Sequence, residues 1–395
     1  MIVMSTLHDR NSTEPLRTLI LTSSSGNGHN AAADAFTDWT TYLLGSQIEI
    51  KIEHLLENSS FILAKAVDFY NYIQRNAPWF HHVYYNIIEL QELINPGTVS
   101  LGRDYYIQLL NDFQPQVIIS VHDALNKGYF ELGKQIIGSH LRCVTYCLEF
   151  QGGYGFSRNW VNQNTDLFWV ATEETAQAVI TLGMNPEKVK FLGNILPRNF
   201  YNLPLNQIEK NKILARELGL NTGKFTLLLA TGGAGAQNHL AFLNNLVALK
   251  NHLQIIVLCG HNQNAMEKVK IWSQRNPSFH LCILPFTDKM ERIIQVSDAI
   301  VTRPGGRTSC EALHLGCPII FNCIGGIMPQ ELLTVGYFKN RDISTTIYNP
   351  QHLASIIHTW IFQPEVYLTI RNKILLSKQQ FNPEQIVKQV LNICL

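Results

Sequence analysis

A histidine lies in a glycine-rich turn near the start of the chain, within the segment LTSSSGNGHN at residues 21–30. An apolar run precedes this turn and an alanine-rich segment follows it, which predicts a strand, a turn and a helix in that order. Gly26 and Gly28 would let a ligand approach the backbone, and His29 would lie in the first turn of the helix. Because the positive end of a helix lowers the proton affinity of an imidazole, we expect His29 to be neutral and able to act as a base. The alternative is that His29 only caps the turn.

A second concentration of polar groups lies at residues 297–322, SDAIVTRPGGRTSCEALHLGCPIIFN. A strand should end at Thr302 and a helix should begin near residues 307–309, so that backbone amides, hydroxyls and an arginine point toward one anion. This pattern predicts a diphosphate site, and Glu311 would accept two hydrogen bonds from a vicinal diol such as a ribose. The alternative is a pair of solvated surface arginines and an ordinary helix carboxylate. The residues expected to bind ligand at this turn are Arg303, Gly305, Gly306, Arg307, Thr308 and Ser309.

Three further segments have the composition of ligand-binding loops. After the apolar run at residues 225–230, the sequence TGGAGAQ suits close approach by a pyrophosphate or by the sugar of a nucleotide. The loop PFTDKM at residues 285–290 would hold a flat nucleobase. A proline at position 329 suits the first turn of a helix, and the side chains after it would bind sugar hydroxyls. The ligand-binding residues expected in these segments are Gly232, Gly233, Gly235, Phe286, Thr287, Gln330 and Glu331.

Short apolar runs alternate with longer segments of helical periodicity along the whole chain. The runs cover residues 17–23, 48–53, 117–121, 142–148, 167–171, 189–192, 225–230, 254–259, 280–284, 299–302 and 318–322. Such alternation predicts an α/β fold with parallel sheets covered on both faces. The pattern breaks at residues 194–206, so we expect two doubly wound, Rossmann-like domains facing each other across a cleft. The expected bounds are 1–200 and 201–380, with a closing helix at 381–395.

Composition and charge exclude several classes of protein. Basic and acidic residues nearly cancel at 31 and 30, which argues against a nucleic-acid partner. No apolar run approaches the ~20 residues needed to cross a bilayer, and Asp9 and Glu14 argue against a secretory signal. The eight cysteines form no CxxC pair, so we expect reduced core residues of a cytoplasmic protein and no metal site.

An aromatic and apolar segment at residues 61–90 suits contact with a membrane surface. Apolar residues recur at helical spacing from position 61 to position 73, and APWFHHVYYNIIEL follows at residues 77–90. Trp79 and Phe80 belong to this second part, and aromatic residues at such density are typical of a membrane interface. The alternative is an aromatic-rich core helix. We expect a cytoplasmic protein associated with the inner face of a membrane.

Taken in order, these motifs resemble GT-B glycosyltransferases of family 28 type. That group includes monogalactosyldiacylglycerol synthases, processive diacylglycerol glucosyltransferases and the N-acetylglucosaminyltransferase of peptidoglycan lipid intermediates. The resemblance covers nearly the whole chain. The segments that carry it are the Gly-x-Gly-His turn, IISVHDAL at 118–125, the stretch 167–201, VLCGHNQN at 257–264, LPFTDKM at 284–290, TRPGGRTSCEAL at 302–313 and MPQE at 328–331.

The resemblance implies an inverting transfer of a hexose from a UDP-sugar donor to a lipid hydroxyl, with no obligatory metal or other cofactor. His29 would be the base that deprotonates the acceptor. Residues 305–309 would hold the diphosphate and Glu311 the ribose. The pair at 330–331 would contact the transferred sugar, and Phe286 would line the uracil pocket. The chain has no DxD motif, which fits a reaction without a metal.

The sequence departs from the lipid-sugar synthases after the apolar run at 142–148. Those enzymes have a Thr-Asp pair there and a loop with a histidine and a tryptophan, whereas this chain has Glu149 and the loop FQGGYGFSRNW. Trp160 would keep the aromatic role, and Glu149 would replace the aspartate as a partner of His29 or of the acceptor hydroxyl. Three alternatives stay open: an enzyme of the same fold that resembles UDP-N-acetylglucosamine 2-epimerase, a glycosyltransferase for a small aglycone, and a non-catalytic nucleotide-sugar-binding protein.

Overall fold

A computed structural model describes residues 14–94, 99, 101–230, 238–378 and 381–394. The chain divides into two compact units. The N-terminal unit comprises residues 1–198, 328–333 and 381–395, and the C-terminal unit comprises residues 199–327 and 334–380. The boundary after residue 198 lies close to the expected boundary after residue 200.

The N-terminal unit contains a parallel sheet in the order β2-β1-β3-β4-β5-β6. Its strands are β1 Leu16–Thr22, β2 Ile48–His54, β3 Val117–Ser120, β4 Arg142–Cys147, β5 Leu167–Val170 and β6 Val189–Phe191. The helices between the strands are α1 Gly28–Leu44, α2 Leu55–Ser59, α3 Phe61–Asn76, α4 His81–Ile94, α5 Arg103–Phe113, α6 Tyr129–Ile137 and α7 Glu173–Thr181.

The C-terminal unit repeats this arrangement with the order β12-β11-β10-β7-β8-β9, again parallel. Its strands are β7 Phe225–Ala230, β8 Leu253–Leu258, β9 Leu281–Leu284, β10 Ala299–Thr302, β11 Ile319–Asn322 and β12 Ser344–Ile347. The helices after residue 198 are α8 Gln207–Lys212, α9 His239–Leu246, α10 Gln263–Arg275, α11 Met290–Gln295, α12 Gly306–Leu315, α13 Pro329–Asn340, α14 Pro350–Phe362, α15 Pro364–Leu376 and α16 Pro383–Leu391.

The strands are apolar on both faces because helices cover both sides of a parallel sheet. Leu19, Ile20 and Leu21 of β1 are all fully buried. Ile20 pairs with Ile52 of β2 on one side and with Ile119 of β3 on the other. The predicted α/β class with two parallel sheets is therefore confirmed. The pairing of β1 with β3 brings the turn after β1 next to the loop after β3, although about a hundred residues separate them in the chain.

One strand was not predicted. The strand β12, with the sequence STTI, lies at the edge of its sheet and pairs only with β11 among the described strands. Its first three residues are only partly buried, so it lacks the continuous apolar run that marks the central strands.

The start of α13 and the last helix, α16, pack in the N-terminal unit, which differs from the predicted domain bounds. Leu333 joins a cluster of buried residues there that includes Trp160 and Phe168. At Gly155, which has a φ of 102°, a Cβ would come within 2.0 Å of the carbonyl oxygen of Pro329, so only glycine allows this close approach. The α16 helix lies within the predicted closing segment 381–395, and the Asn382 side chain at its N-cap accepts from the amides at 384 and 385.

No helix in the described part of the chain has the length and hydropathy that a membrane span requires. The apolar surface of α3 and α4 is nevertheless unusual, because many of its large side chains face solvent. The exposed members are Phe61, Ile62, Phe69 and Tyr72 on α3, Trp79 in the short 3-10 helix Pro78–Phe80, and Val83 and Ile87 on α4. This set is called the apolar face below.

Candidate functional site

His29 is the second residue of α1 and is fixed by a backbone carbonyl. Its Nδ1 lies 2.6 Å from the carbonyl oxygen of Val121, the residue directly after β3. A carbonyl oxygen only accepts, so we assign the hydrogen to Nδ1, which leaves Nε2 of the neutral ring unprotonated. The residue at the N-cap of α1 is Asn27, and no side chain caps the helix. His29 therefore does not serve as the cap.

The pKa of His29 is lowered to about 4, first by burial of the ring and then by the neighbouring His122. The hydrogen bond to Val121 and the charge of Asp123 act in the opposite direction. The direction agrees with the prediction of a neutral imidazole, but burial is the main cause. At neutral pH the ring is a base without its proton.

Two residues beside His29 were quoted in a motif but given no role by the sequence reasoning. The His122 ring centroid lies 4.5 Å from that of His29. Nδ1 of His122 lies 3.1 Å from Oδ1 of Asp123, and Nε2 lies 2.6 Å from Oγ of Ser25. Burial raises the pKa of Asp123, but the hydrogen bond and charge of His122, with Ser157 and His29, outweigh it and hold that pKa well below its usual range. Asp123 is therefore a fixed negative charge near two imidazoles.

Glu149 and Trp160 both lie in the N-terminal unit, in different environments. The Trp160 ring centroid is 6.4 Å from that of His29, and its buried indole N–H has no hydrogen-bond partner among the described residues. Burial, followed by the charge of Asp123, raises the pKa of Glu149 to about 8. A carboxyl that is mostly protonated at neutral pH does not stabilise an imidazolium. Within the described residues Glu149 makes no hydrogen bond to His29, so the charged partner is Asp123.

The glycine turn before His29 is held by α3. Asn71 on α3 accepts a hydrogen bond from the amide of Gly26 at 3.1 Å and donates one to the carbonyl of Ser24 at 2.9 Å. Gly26 has a φ of 80°, which favours glycine. The helix that carries part of the apolar face thus also positions the turn of the candidate base.

In the C-terminal unit, α12 begins at Gly306, the second glycine of the pair and one residue before the predicted start. Its N-cap is Gly305, which has extended backbone and no side chain that could cap the helix. The first backbone amides of a helix have no partner within it, and those of Gly306, Arg307 and Thr308 make no hydrogen bond within the described residues. Three such amides at the positive end of a helix are suited to binding an anion, and anion binding at this turn stays a prediction.

Two side chains expected at this position are otherwise engaged. The hydroxyl of Ser309 is buried and donates its hydrogen to the carbonyl of Gly305 at 2.7 Å, so that hydrogen is not available to an anion. Serine in a helix readily bonds back to the carbonyl four residues earlier, and contact of Ser309 with a diphosphate stays a prediction. Arg303 donates to the carbonyl of Ile324 at 3.4 Å and is partly buried, which differs from a solvated surface residue.

Arg307 and Glu311 form an ion pair one helical turn apart. Nε of Arg307 lies 2.7 Å from Oε1 of Glu311, whose side chain is only 2% exposed. Burial raises the pKa of Glu311, while Arg307 lowers it. The guanidinium has five N–H donors, so four remain on its two terminal nitrogens for a phosphate. Contact of Glu311 with a ribose stays a prediction.

The other predicted donor residues fall into three groups. Phe286 is half exposed and stacks on His261, with ring centroids 4.5 Å apart, while the hydroxyl of Thr287 accepts from the amide of Lys289 at 3.1 Å. The glycines at positions 232, 233 and 235 lie outside the described residues. Glu331 is buried in the N-terminal unit and accepts from the amide of Met328 at 2.8 Å.

Gln330 also lies in the N-terminal unit rather than with the other predicted donor residues. Its Oε1 is buried and has no hydrogen-bond partner within the described ranges. Buried polar atoms normally have a partner, from protein or from water. Contact of Gln330 and Glu331 with a transferred sugar stays a prediction.

Both units match models of known protein families. The family model for monogalactosyldiacylglycerol (MGDG) synthase matches residues 29–195. The glycosyltransferase family 28 C-terminal domain matches residues 226–323. The N-terminal unit thus matches the MGDG synthase model, the C-terminal unit matches the family 28 glycosyltransferase domain, and the chain has the GT-B fold.

The relatives of this chain are distant in sequence. A processive diacylglycerol beta-glucosyltransferase of Bacillus subtilis is 23% identical over 348 residues, which cover 86% of each chain. The solved structure of Anabaena Alr3699/HepE with UDP and glucose has a TM-score of 0.56 at 15% identity and covers 95% of this chain and 98% of its own. UDP-GlcNAc 2-epimerase of Neisseria meningitidis bound to UDP-GlcNAc has a TM-score of 0.58 at 13% identity, with 95% and 98% covered. At these identities the structures establish the shared fold.

Each of the two family matches contains part of the candidate residues. The MGDG synthase match begins at His29 and includes Asp123, Glu149 and Trp160. The family 28 C-terminal match includes Phe286 and the turn at 303–311. Gln330 and Glu331 lie beyond both matches.

Proposed function

We propose that this glycosyltransferase transfers a hexose from a UDP-sugar to the hydroxyl of a diacylglycerol-type lipid, with inversion at the anomeric carbon. The observation that carries the proposal is the state of His29. Its Nδ1 is held by the carbonyl of Val121, and its pKa of about 4 leaves Nε2 ready to accept a proton at neutral pH. The relative in Bacillus subtilis is named for glucosyl transfer to diacylglycerol, which supports the lipid acceptor.

The reaction is a single displacement. The acceptor hydroxyl gives its proton to Nε2 of His29 while its oxygen forms a bond to the anomeric carbon of the sugar. The bond from that carbon to the UDP oxygen breaks, and its electron pair leaves with UDP. Attack on the face opposite UDP inverts the configuration. Asp123 stabilises the imidazolium that forms, because its charge raises the proton affinity of His29.

The departing diphosphate would be stabilised at the start of α12. The amides of Gly306, Arg307 and Thr308 and the guanidinium of Arg307 are oriented before the reaction, so they stabilise the developing charge with little reorganisation. UDP in the Anabaena HepE structure and UDP-GlcNAc in the Neisseria epimerase structure support a uridine nucleotide as the ligand of this fold. We propose that no metal is required at this position.

The apolar face supports an acceptor that resides in a membrane. Phe61, Phe69 and Tyr72 share one side of α3, since at about 3.6 residues per turn the spacings of eight and eleven residues place them within an arc of roughly 80°. Trp79 adds an exposed ring, while Phe80 is only partly buried and packs edge-on against it at 5.8 Å. Large exposed apolar patches mark interaction sites, and aromatic residues suit the lipid headgroup region. We propose peripheral membrane contact through this face.

An epimerase-like activity is the second candidate, because the Neisseria epimerase has the same fold. A soluble nucleotide-sugar substrate needs no exposed apolar face, and the face on α3 and α4 therefore favours transfer to a lipid. A small aglycone as acceptor is disfavoured for the same reason. A purely binding protein would have no use for an anchored base such as His29.

The proposed function is tested by transfer of label into lipid. The protein is incubated with radiolabelled UDP-glucose, UDP-galactose or UDP-N-acetylglucosamine and with vesicles that contain diacylglycerol, and label is then followed into the organic phase. We expect one donor to give labelled lipid. Isomerised UDP-sugar without labelled lipid would support the epimerase instead, and no product from any donor would contradict both.

Asp123→Asn should change the pH dependence of transfer. The base acts only when unprotonated, so kcat/KM of the wild type should fall on the acid side near pH 4 rather than near the ordinary histidine pKa of about 6.5. Asp123 raises the pKa of His29. Loss of the Asp123 charge should therefore move the acid-side fall of kcat/KM to lower pH and slow transfer at neutral pH. The profile is measured from about pH 3 to about pH 8, so that it includes the acid-side fall of both proteins. The control is Asp38→Asn, which removes the charge of an exposed ion pair with Arg198. An acid-side fall of wild-type kcat/KM near pH 6.5 would contradict the assignment of His29 as the base.

Acidic substitutions on the apolar face should weaken membrane binding. The double variant Phe69→Glu with Trp79→Glu removes two exposed rings, each worth ~1.5–3 kcal/mol when buried, so we expect vesicle binding to weaken by at least about tenfold. The control makes the same charge change at Tyr348 and Leu376, which are exposed in the C-terminal unit. Co-sedimentation with diacylglycerol vesicles measures both. Equal binding of the two double variants would rule out this face.

A further inference from the structure

A serine, a histidine and an aspartate form a chain of contacts in the N-terminal unit. Oγ of Ser25 lies 2.6 Å from Nε2 of His122, and Nδ1 of the same ring lies 3.1 Å from Oδ1 of Asp123. The transfer proposed above uses His29 as its base and gives the Ser25 hydroxyl no role. A hydroxyl paired with an imidazole, which is itself paired with a carboxylate, is the arrangement that activates a serine as a nucleophile.

Ser25 lies in the turn that joins a strand to a helix. The strand β1 ends at Thr22 and α1 begins at Gly28, so Ser25 stands beyond the carboxyl end of a buried strand, where it is partly exposed. The nucleophilic serine of hydrolases with a similar sheet occupies the same kind of turn. This chain has Ser23 and Asn27 where the motif of those hydrolases has glycines. The likeness is therefore one of geometry and not of sequence.

The position of the hydrogen on the His122 ring decides how Ser25 bonds to it. Two groups lie 3.1 Å from Nδ1: Oδ1 of Asp123, which accepts, and the amide of Ala124, which donates. Burial raises the pKa of Asp123, but the hydrogen bond and charge of His122 outweigh burial, so this carboxyl is ionised at neutral pH. Because a charge-assisted bond is stronger than one from a neutral amide, we assign the hydrogen to Nδ1. Nε2 is then the acceptor, and the hydroxyl of Ser25 donates to it.

Backbone amides beside Ser25 can stabilise an oxyanion. The amide of Gly26 donates to Asn71, whereas those of Asn27 and Gly28 make no hydrogen bond within the described residues. Attack of a serine on a carbonyl carbon places negative charge on the carbonyl oxygen, and amides oriented beforehand stabilise that charge. The turn therefore offers a nucleophile together with donors for the intermediate that it would form.

We propose that Ser25 is a nucleophile that cleaves carboxylic esters of acyl lipids. Its Oγ bonds to the carbonyl carbon while its proton passes to Nε2 of His122. The bond from that carbon to the alcohol oxygen breaks, and the alcohol leaves with the proton from His122. Water then attacks the acyl-serine ester, with His122 again accepting a proton and returning it to Oγ, which releases a carboxylic acid and restores the serine. Asp123 stabilises the imidazolium in both steps.

The choice of a lipid ester rests on the proposed function, because it takes the apolar face as the membrane contact. The helix α3 holds the turn of Ser25 through Asn71, and it presents Phe69 and Tyr72 of the apolar face to solvent. The turn and the apolar face thus lie on two sides of one helix, which is about 10–12 Å across. This closeness favours an acyl lipid over a small water-soluble ester.

Labelling with an alkyl fluorophosphonate tests the nucleophile. An activated serine displaces fluoride from phosphorus and keeps the phosphonyl group, which mass spectrometry of the digested protein then locates. We expect a single label at Ser25, and labelling at least about a hundredfold slower in His122→Gln, because the base is lost. Label on another residue, or no label, would overturn the proposal.

Ser24→Ala is the matched control in the same turn. The Ser24 hydroxyl lies 3.2 Å from Nδ1 of His54 and accepts from Asn30, so it has no contact with the His122 ring. This variant should label at Ser25 as fast as the wild type does. Thermal unfolding checks the fold of each variant, and Ser25→Ala and Ser24→Ala each remove only one hydroxyl.

Ester hydrolysis is measured on two substrates. The first is p-nitrophenyl butyrate, and the second is diacylglycerol in vesicles, from which released fatty acid is titrated. We expect Ser25→Ala to lose at least about a hundredfold in rate on both, with Ser24→Ala unchanged. Equal rates in these two variants would overturn the nucleophile. Hydrolysis of the soluble ester alone would keep the nucleophile and overturn the choice of a lipid ester.

Failure of the nucleophile and failure of the proposed function give different results. If radiolabelled hexose enters lipid but Ser25 is neither phosphonylated nor needed for ester hydrolysis, only the nucleophile fails. If Ser25 is phosphonylated and cleaves esters but no hexose enters any lipid, the nucleophile stands and the proposed function fails.

Discussion

His29→Ala is expected to lower kcat for hexose transfer by about 10²–10⁴-fold, the usual contribution of a positioned general base. The acceptor hydroxyl would then have to lose its proton without Nε2 of His29. UDP affinity should change by less than about twofold, because the predicted diphosphate ligands belong to α12 and not to α1. Steady-state transfer of label into lipid and isothermal titration with UDP measure the two quantities.

Two controls separate loss of the base from loss of structure. His29→Gln keeps an amide that can donate to the carbonyl of Val121 but removes the basic nitrogen, so it should be as inactive as the alanine variant. His81→Ala removes another buried histidine of the same unit, whose pKa burial also lowers to about 4, and should retain transfer. Full activity of His29→Gln, or a parallel loss of UDP binding in His29→Ala, would show that the residue is structural.

The sequence predicted the position of His29 but not its surroundings. The turn between β1 and α1 follows from an apolar run, two glycines and an alanine-rich segment, which are local signals. Its neighbours come from the loop after β3, which is adjacent only because β1 and β3 pair in the sheet. Which strands lie next to each other in a sheet depends on contacts between distant parts of the chain. The spacing of apolar residues does not predict this order. The polar pair His122 and Asp123, directly after a buried strand, was the signal that could have found the fixed charge.

At the predicted anion site, too, some features follow from the local sequence and others from tertiary packing. The start of α12 after Gly305 was predictable, since glycines and a strand end precede it. The engagement of the Ser309 hydroxyl was also local, because serine in a helix often bonds to the carbonyl four residues earlier. By contrast, the packing of Gln330 and Glu331 in the N-terminal unit, beside the close approach of Gly155 to Pro329, is a tertiary feature that no local pattern reveals.

Arg307→Ala should weaken UDP binding by about tenfold or more, since a hydrogen bond to a charged group contributes ~1.5–3 kcal/mol. The effect on kcat/KM should be larger, about 10²–10³-fold, because charge on the diphosphate increases as the sugar departs. Arg307→Lys should recover only part of both, as an ammonium lacks the planar donor pair of a guanidinium. Titration with UDP and transfer kinetics give the two comparisons.

The ion pair with Glu311 must be separated from the effect on the ligand. Without Arg307, burial would raise the pKa of Glu311 further, because Arg307 is the group that lowers it. The carboxyl would then be protonated over a wider pH range rather than left as a buried charge. The double variant Arg307→Ala with Glu311→Gln removes the carboxylate altogether and should bind UDP no more tightly than Arg307→Ala alone, because it also loses the predicted contact of the Glu311 carboxylate with the ribose. Recovery of affinity in the double variant would place the defect in Glu311 instead.

Arg292→Ala provides the matched control for loss of an arginine in the same unit. Its guanidinium pairs with Glu217 at 2.9 Å, and both side chains are partly exposed, so little stability depends on the pair. UDP affinity should therefore be unchanged in this variant. Unchanged affinity in Arg307→Ala as well would remove Arg307 from the diphosphate site. The three amides at the start of α12 would then be the only part of the proposed stabilisation supported by the described geometry of this turn.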